Sequence, residues 1–245
     1  MKHISHMILI AVLGMVLIPT AGAGEWGLGA ATAYLYTPYK NRDGKLLAVP
    51  YFSYQGERLN VDLAAISYSL LKTEQLQVAL EGELRFEGYE ADDSPELVGM
   101  ASRNPSFDVG ASVASVVMGG EFKVILLRDI IATHQGHELR VQYQKPYMFD
   151  RLFITPALGA AWLDEALVDY YYGVRTSEVT PTRPAYKAES TTNLFIELSV
   201  GYAINEQLEL LGGVKAVWLG KSIVNSPIVG SQYDTAAFSA VKYKF

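Results

Sequence analysis

Hydrophobic and polar residues alternate one by one along most of this chain. In the clearest run, polar residues at 75, 77, 81, 83, 85 and 87 alternate with apolar residues at 76, 78, 80, 84 and 86. A β-strand sends successive side chains to opposite faces, whereas a helix would scatter these charges around its axis. The run therefore predicts a strand with one charged face and one apolar face.

Segments of this kind follow one another along the chain, with almost no helical periodicity between them. They predict strands at 26–36, 46–54, 58–71, 75–87, 107–118, 121–131, 138–147, 152–162, 192–203, 206–218 and 233–245. Many are longer than the five or six residues typical of soluble sheets, and they match a tilted strand that crosses a bilayer. The chain is therefore predicted to be all-β.

The two faces of these strands favour a transmembrane barrel. The polar face carries Glu, Arg, Lys and Gln, which suit a watery or hydrogen-bonded lumen, and the other face suits lipid. We expect Leu80, Leu84 and Leu198 to face lipid and Glu81, Glu83 and Arg85 to face the lumen. Aromatic residues, which favour membrane-water boundaries, stand near strand ends in phase with the apolar face; they include Trp26, Trp162, Trp218, Tyr34, Tyr36, Tyr202, Tyr243 and Phe245. A soluble barrel of the lipocalin kind is the alternative, with its apolar face turned inward.

Both ends of the chain support the membrane interpretation. Residues 1–23 have the features of a cleaved signal peptide: Lys2, an apolar run from Met7 to Ile18, and the small residues Ala21-Gly22-Ala23. An uncleaved anchor is the alternative, although the apolar run is short for a spanning helix. At the other end, Val241, Tyr243 and Phe245 alternate with lysines, and a terminal Phe on such a strand resembles the assembly signal of outer-membrane barrels.

Composition narrows the function classes. The chain has no cysteine and a formal net charge of −6, and loss of Lys2 makes the mature chain one unit more negative. An acidic chain without a basic cluster does not suit nucleic-acid binding. No second stretch reaches the 18 apolar residues of a spanning helix. A chain that crosses a membrane with strands must close them into a barrel, so that every backbone group is paired. We therefore expect one antiparallel barrel domain at 24–245.

Strand parity refines the barrel. The eleven predicted segments conflict with the even strand number of bacterial single-chain barrels. Within 58–71 the apolar phase flips at Ala64-Ala65, which indicates either a bulge or a turn between two short strands. Splitting this segment predicts twelve strands, and ten is the alternative. The connections at 37–45, 88–104, 163–191 and 219–232 then become extracellular, and the short turns at 55–57, 71–74, 119–120 and 148–150 become periplasmic.

Candidate catalytic residues are few. Beyond the predicted signal peptide, His134 and His137 are the only histidines, and both lie in one short turn. There is no Gly-x-Ser-x-Gly elbow and no third metal ligand nearby in sequence. We expect the pair to face solvent and predict no catalytic, cofactor-binding or metal site.

Two loop motifs invite other interpretations. Residues 87–96 carry five carboxylates, which suit a divalent cation, although a solvated outer loop is the ordinary interpretation. Residues Tyr170 to Tyr172 form a run in the longest loop. We expect this run to join the outer aromatic girdle rather than form an interaction patch.

An ordered set of local motifs resembles the MltA-interacting protein (MipA)/OmpV family of outer-membrane proteins. The motifs span the mature chain and are Gly27-Leu-Gly-Ala30, Pro50-Tyr51, Tyr54-x-Gly-Glu-Arg58, Arg85-Phe-Glu-Gly-Tyr89, Asp93-Ser-Pro-Glu-Leu-Val-Gly-Met100, Tyr171-Tyr-Gly-Val174, Ser226-Pro-Ile-Val229 and Tyr243-Lys-Phe245. The resemblance implies a non-enzymatic barrel of the cell outer membrane, in contact with lipid and lipopolysaccharide. It also implies a scaffold role toward peptidoglycan synthases or lytic transglycosylases, and it supplies no catalytic residue to carry over.

A narrow channel, or a barrel for adhesion or osmotic adaptation, is the alternative function. The charged lumen residues Arg85 and Arg140 distinguish a channel from a closed barrel. If both pair with nearby carboxylates, salt bridges occlude the lumen, and if they do not, a polar pore remains.

We predict that Phe245→Ser impairs membrane insertion, because the terminal apolar rim and the assembly signal are lost together. Heat-modifiable gel mobility of outer-membrane fractions measures the folded yield, and Lys244→Ser is the control that keeps the aromatic end. Normal yield of the Phe245 variant would contradict the prediction.

Overall fold

A computed structural model of the chain describes residues 24–245. The predicted signal peptide, residues 1–23, lies outside the described residues. The strand segments are β1 Glu25–Tyr36, β2 Lys45–Gln55, β3 Leu59–Asp62, β4 Ala65–Lys72, β5 Leu76–Arg85, β6 Ser106–Val117, β7 Gly120–Asp129, β8 His137–Gln144, β9 Tyr147–Phe149, β10 Leu152–Leu163, β11 Thr191–Ala203, β12 Leu208–Trp218 and β13 Tyr233–Lys244. Every predicted strand is present.

The segments form one closed antiparallel sheet. Each strand pairs with the next along the chain, except that β8 and β9 both pair with β10. In addition β13 pairs with β1, where Gly27 lies opposite Lys244 and Tyr36 lies opposite Thr235. This last pairing removes both edges, so the sheet is a barrel.

The barrel has twelve strands, because β8 and β9 are two parts of one. Both pair with β10 on the same side, and the register runs on without a shift across Lys145-Pro146, which lies opposite Thr155-Pro156. Proline has no N–H to donate to the ladder, so the two prolines interrupt the pairing there. The predicted split of 58–71 is also confirmed, because Leu63-Ala64 forms the turn between β3 and β4.

Exposure along the strands follows the predicted faces. Leu80 and Leu198 are 49% and 41% exposed on the outside of the barrel, while Glu81 is 7% exposed and lies in the lumen. Leu84 is half-buried. The outer surface is a continuous apolar band that a soluble barrel would not present to water. The transmembrane interpretation therefore accounts for both faces.

The two ends of the barrel differ strongly. At one end the strands are joined by short turns, such as Met118-Gly119 and Asp150-Arg151. At the other end they are joined by long segments at 37–44, 86–105, 164–190 and 219–232, with shorter turns at 63–64 and 130–136. The long segments contain the helices α1 (Glu165–Tyr172) and α2 (Lys221–Val224) and two single 3₁₀ turns. Among the residues described, no helix has the length and apolarity needed to cross a membrane.

We predict that Leu198→Arg destabilises the barrel by roughly 2–4 kcal/mol, because it places a cation on the lipid face. Its neighbour Ser199 faces the lumen, where its hydroxyl lies 3.3 Å from Glu197. Ser199→Arg is therefore the matched control and should cost less. Equal losses in a denaturant unfolding assay in lipid vesicles would contradict the assigned faces.

Candidate functional site

A network of charged side chains lines one side of the lumen. Arg85 on β5 contacts Asp108 on β6 at 2.9 Å and Glu138 on β8 at 2.5 Å. Arg140 on β8 contacts Glu138 at 2.7 Å and reaches back to Glu83 on β5 at 3.0 Å. These bonds join β5 to β8 across the inner face of β6 and β7. Both arginines are therefore paired, which is the occluded form of the two alternatives.

The network continues toward the short-turn end. Lys123 on β7 lies 2.7 Å from Glu81 on β5, and the Ser112 hydroxyl donates a 2.5 Å hydrogen bond to the same carboxylate. On the opposite side of the barrel, Lys242 lies 2.6 Å from Glu209. Alternate positions along these strands thus carry charges of both signs, and neighbouring strands bring them into contact. Pairing and hydrogen bonding offset the desolvation of these buried charges.

A hydrophobic core, made mostly of loop residues, closes the long-loop end of the barrel. It consists of Tyr39, Tyr89, Leu97, Met100, Ala161, Leu163, Leu167, Val168, Tyr171, Tyr172, Val174, Ala188, Ile223, Ile228 and Val229. These residues come from the four long segments and from the inner face of β10. Burial of apolar side chains stabilises the assembly without any strand pairing. The mouth of the barrel is therefore covered by a packed lid.

Helix α1 lies at the centre of this lid. Asp164 caps its first turn by accepting a 3.0 Å hydrogen bond from the Leu167 N–H. Its buried residues Leu167, Val168, Tyr171 and Tyr172 fall on one helical face. The expectation that Tyr170 to Tyr172 join the outer aromatic girdle is wrong, because Tyr171 and Tyr172 are buried inside the lid. The helix was not predicted, since eight residues give only two turns of periodicity.

Polar contacts tie the other loops to α1. The Tyr171 hydroxyl donates to the Asn104 carbonyl at 3.1 Å, and the Ser226 hydroxyl donates to the Tyr172 carbonyl at 2.6 Å. The Tyr39 hydroxyl donates to the Tyr171 carbonyl at 3.3 Å. The bonds from Ser226 and Tyr39 satisfy carbonyl groups at the end of the helix, which have no partner within the helix. Three separate loops are thereby fixed to one helix.

A buried ion pair strengthens the lid. The guanidinium of Arg103 lies 3.1 Å from the carboxylate of Glu178, and their side chains are 1% and 4% exposed. Burial alone would raise the pKa of Glu178, but hydrogen bonds from Arg103 and from the backbone N–H groups of Arg175 and Ala101 bring it below its ordinary value. The stabilisation from this carboxylate is present above its unfolded pKa of about 4.3 and is lost as pH falls through the lowered folded value. At neutral pH the lid therefore holds its full stabilisation.

A small cavity separates the lid from the lumen network. Its volume is about 200 Å³, and its lining includes Glu87, Asn193, Phe195 and Lys215 together with the Arg85 and Arg140 cluster. Lys215 lies 4.8 Å from the ring centre of Phe195. The site is thus a charged space beneath a lid.

Comparisons with known proteins agree with this architecture. The family profile described as MltA-interacting protein MipA matches residues 27–245. The chain belongs to the MltA-interacting protein family. The MltA-interacting protein of Escherichia coli K12 is 24% identical over 244 residues, which cover 96% of this chain and 98% of that protein. The OmpV protein of Vibrio cholerae is 25% identical over 224 residues, 91% of this chain and 87% of OmpV.

One more relative and one solved structure are also similar to this chain. Outer membrane protein Omp26La of Vibrio anguillarum is 27% identical over 208 residues, with 84% of this chain and 81% of that protein covered. Among solved structures, an outer membrane channel from Pseudomonas putida F1 aligns with a TM-score of 0.49 and 9% identity, over 92% of this chain and 97% of that one. The family relatives are named as outer membrane proteins, and this MipA-family chain is an outer-membrane β-barrel. Its long-loop end is the extracellular end, because bacterial barrels have short periplasmic turns.

The histidine prediction needs a correction in this MipA-family barrel. His134 is not solvent-facing, since it is 4% exposed and its Nε2 lies 3.1 Å from Asp108. The Gly136 N–H donates to His134 Nδ1 at 3.0 Å, so Nε2 carries the proton and donates to the carboxylate. Asp129 holds the rest of the turn by accepting from the backbone N–H groups of residues 131, 134 and 135. His137 contacts Asp164 at 3.0 Å and remains partly exposed.

The fold brings Ser106, Asp108 and His134 together, which the sequence did not indicate. The Ser106 hydroxyl donates to the same Asp108 oxygen that His134 contacts, at 2.9 Å. A catalytic serine would instead donate to the histidine, which the carboxylate orients from its other side. Here both ring nitrogens of His134 are already bonded, and all three residues are buried. The cluster anchors the turn at 130–136 to β6.

The acidic loop serves as a contact between two loops. Asp93 lies 2.7 Å from Arg42, and Glu96 accepts a 2.5 Å hydrogen bond from Asn41. Arg42 also donates to the Gly88 carbonyl at 2.8 Å. Over residues 24–245, no group of three or more His, Cys, Asp or Glu side chains is arranged to hold a metal ion. Asp93 and Glu96 therefore bind the loop at 37–44.

We predict that Glu178→Gln loosens the lid, because it leaves the Arg103 guanidinium buried without a counter-charge. Removing one partner of a buried pair costs roughly 3–5 kcal/mol. Trypsin should then cleave the folded protein faster after Arg175, which precedes Thr176 in the same loop. Glu165→Gln is the control in the same loop, because Glu165 and Lys187 are 55% and 78% exposed and such pairs contribute little. Equal cleavage of the two variants would contradict the prediction.

Proposed function

We propose that this MipA-family barrel has no catalytic activity and acts as a scaffold that binds cell-envelope enzymes at its periplasmic end. The closed lid is the observation that supports this proposal most strongly. A barrel that is covered at its outer mouth and lined by salt bridges on one wall offers its surface to partners more readily than its lumen to solutes. The partner class we propose is the lytic transglycosylases, with peptidoglycan synthases second.

The periplasmic turns supply a suitable surface. Gln55, Glu57, Arg58, Lys72, Glu74, Asp150 and Arg151 flank these turns and are all exposed. Met118 and Met148 are 87% and 72% exposed at the same end, and Phe149 is 58% exposed. Methionine and aromatic residues are enriched at protein interfaces, and the charged residues around them suit a polar rim. The area is small, so we expect weak and salt-sensitive binding.

Similarity to a named relative supports the choice of partner. The Escherichia coli relative that covers nearly the full chain is named for interaction with MltA. The similarity covers 96% of this chain and 98% of that relative, and a periplasmic surface is available in this chain.

Binding can be measured directly with the purified barrel in lipid nanodiscs and a purified lytic transglycosylase from the same organism. We expect Met148→Glu together with Met118→Glu to weaken binding at least tenfold, because two apolar contacts become charged. Val98→Glu is the matched control, since Val98 is 63% exposed on the extracellular side. Loss of binding only with the Val98 variant would contradict the scaffold proposal.

The narrow channel is the competing function, and the cavity beneath the lid is what favours it. Single-channel recording in planar bilayers separates the two. We expect no steady conductance from the wild-type barrel. Steady conductance that rises in the Arg85→Gln variant would move the channel function ahead of the scaffold.

A further inference from the structure

The barrel wall is interrupted on one side. β2 pairs with β1 from Lys45 to Gln55, but its other neighbour β3 pairs only with Tyr54 and Gln55. β3 is four residues long, and the β3–β4 hairpin turns back at Leu63-Ala64. Residues 45–53 of β2 therefore have a strand on one side and none on the other. The gap lies above the hairpin tip, between β2 and the outer end of β5.

The open edge of β2 carries backbone polar groups that lack a strand partner. Backbone groups point to alternate sides along a strand, and the Gly56 N–H donates to the Leu59 carbonyl at 2.9 Å on the β3 side. The even-numbered residues Leu46, Ala48, Pro50 and Phe52 thus point their backbone groups into the gap. Within the described chain, no backbone hydrogen bond outside the β1 ladder involves residues 45–53.

Such an edge is costly inside a membrane. Each unsatisfied backbone group in hydrocarbon destabilises the folded barrel by several kcal/mol. Polar atoms of another molecule must therefore form hydrogen bonds with these groups. Pro50 lowers this cost, because it has no N–H to leave unpaired. It also removes a donor that an added strand would need at the middle of the edge. The edge is therefore poorly suited to a strand from another protein.

The surroundings of the gap are apolar toward lipid and partly apolar toward the lumen. Toward lipid, Leu46 is 69% exposed, Ile66 is 40% exposed and Phe86 is 51% exposed. Toward the lumen, Ala31, Tyr51 and Ala240 form a buried cluster against which Val49, Leu63 and Leu211 pack. The lumen wall between β5 and β8 is charged instead. A mostly apolar passage thus connects the membrane with the lumen where the wall is missing, and its inner end lies beside Ser53 and the Lys242–Glu209 ion pair.

The gap is bounded above and below by loop contacts. Above it, Arg42 and Asn41 are bonded to the loop that follows β5, through Asp93, Gly88 and Glu96. Below it, the tip of the β3–β4 hairpin places Leu63 against the apolar lumen cluster. The lid closes the axial route at the extracellular mouth, so the passage faces the membrane rather than the medium.

We propose that this gap is a lateral entrance that binds the acyl chain of an amphiphile from the surrounding membrane, with Leu63 as the side chain that closes it. The chain of the amphiphile packs on Val49, Tyr51 and Leu211, where apolar contact stabilises it. Its polar head, with hydrogen-bonding atoms, meets the open backbone groups of Leu46, Ala48 and Phe52. An amphiphile therefore supplies both the apolar contact and the hydrogen-bonding atoms that the gap lacks.

A photoreactive fatty acid tests this entrance. The purified barrel is folded in vesicles that contain a diazirine-bearing fatty acid, irradiated, digested and analysed by mass spectrometry. We expect adducts on inward-facing Tyr51 and Leu211 as well as on lipid-facing Leu198. Adducts on lipid-facing residues alone would overturn the proposal.

Leu63→Trp supplies the decisive variant, since a larger side chain should block the passage. We expect adducts at Leu211 to fall at least fivefold while adducts at Leu198 stay constant. Tyr68→Trp on the outer face of the same hairpin is the matched control and should change neither. Unchanged labelling of Leu211 in the Leu63 variant would overturn the proposal, and Leu63→Phe replaces it if heat-modifiable mobility shows a folding defect.

A second copy of the chain is the other possible occupant of the edge. Because the natural chain has no cysteine, Ala48→Cys introduces a single thiol at the gap. We expect this variant to stay monomeric under mild oxidation in vesicles. Efficient disulfide dimers would overturn the proposal and identify the gap as a contact between barrels.

Discussion

Backbone hydrogen bonding in a medium without water is the constraint on which the rest of this structure depends. Each N–H and C=O group that faces hydrocarbon needs a partner, and a closed antiparallel ladder provides one at nearly every position. Closure of β13 on β1 completes the ladder. The alternation of side chains then follows, because one face of a closed ladder must meet lipid and the other must fill a lumen. The interruption beside β2 matters for the same reason, since it is where this constraint is not met by the chain itself.

The lumen contains many ionisable side chains that lie close together. Arg85 and Arg140 each contact two or more carboxylates, so charges of opposite sign offset one another around β5 and β8. An unpaired charge in such a place would be strongly destabilising. The network therefore stabilises the barrel and narrows it at once.

The extracellular loops form a small globular layer rather than a set of free segments. Helix α1 gives this layer a core, and Arg103, Glu178 and Ser226 bond its backbone or its neighbours into place. Loops usually carry function on a rigid scaffold, but here the loops themselves have become part of the rigid structure. The periplasmic turns carry exposed charged and apolar residues, and the side wall lacks a strand partner for residues 45–53 of β2. The proposed scaffold role and the proposed lateral entrance use these two separate surfaces.

The sequence by itself determined the strands, their faces and their number. A period of two is a local property, so the run at 75–87 and the phase flip at Ala64-Ala65 could be read without knowledge of any neighbour. Motif order also indicated the family. Only the tertiary structure decided what the loops and the lumen do. His134 meets Asp108, and Tyr171 meets Asn104, across 26 and 67 positions of sequence. Such contacts depend on which strand ends the barrel brings together and on how loops pack over them, and neither leaves a periodic trace in the chain.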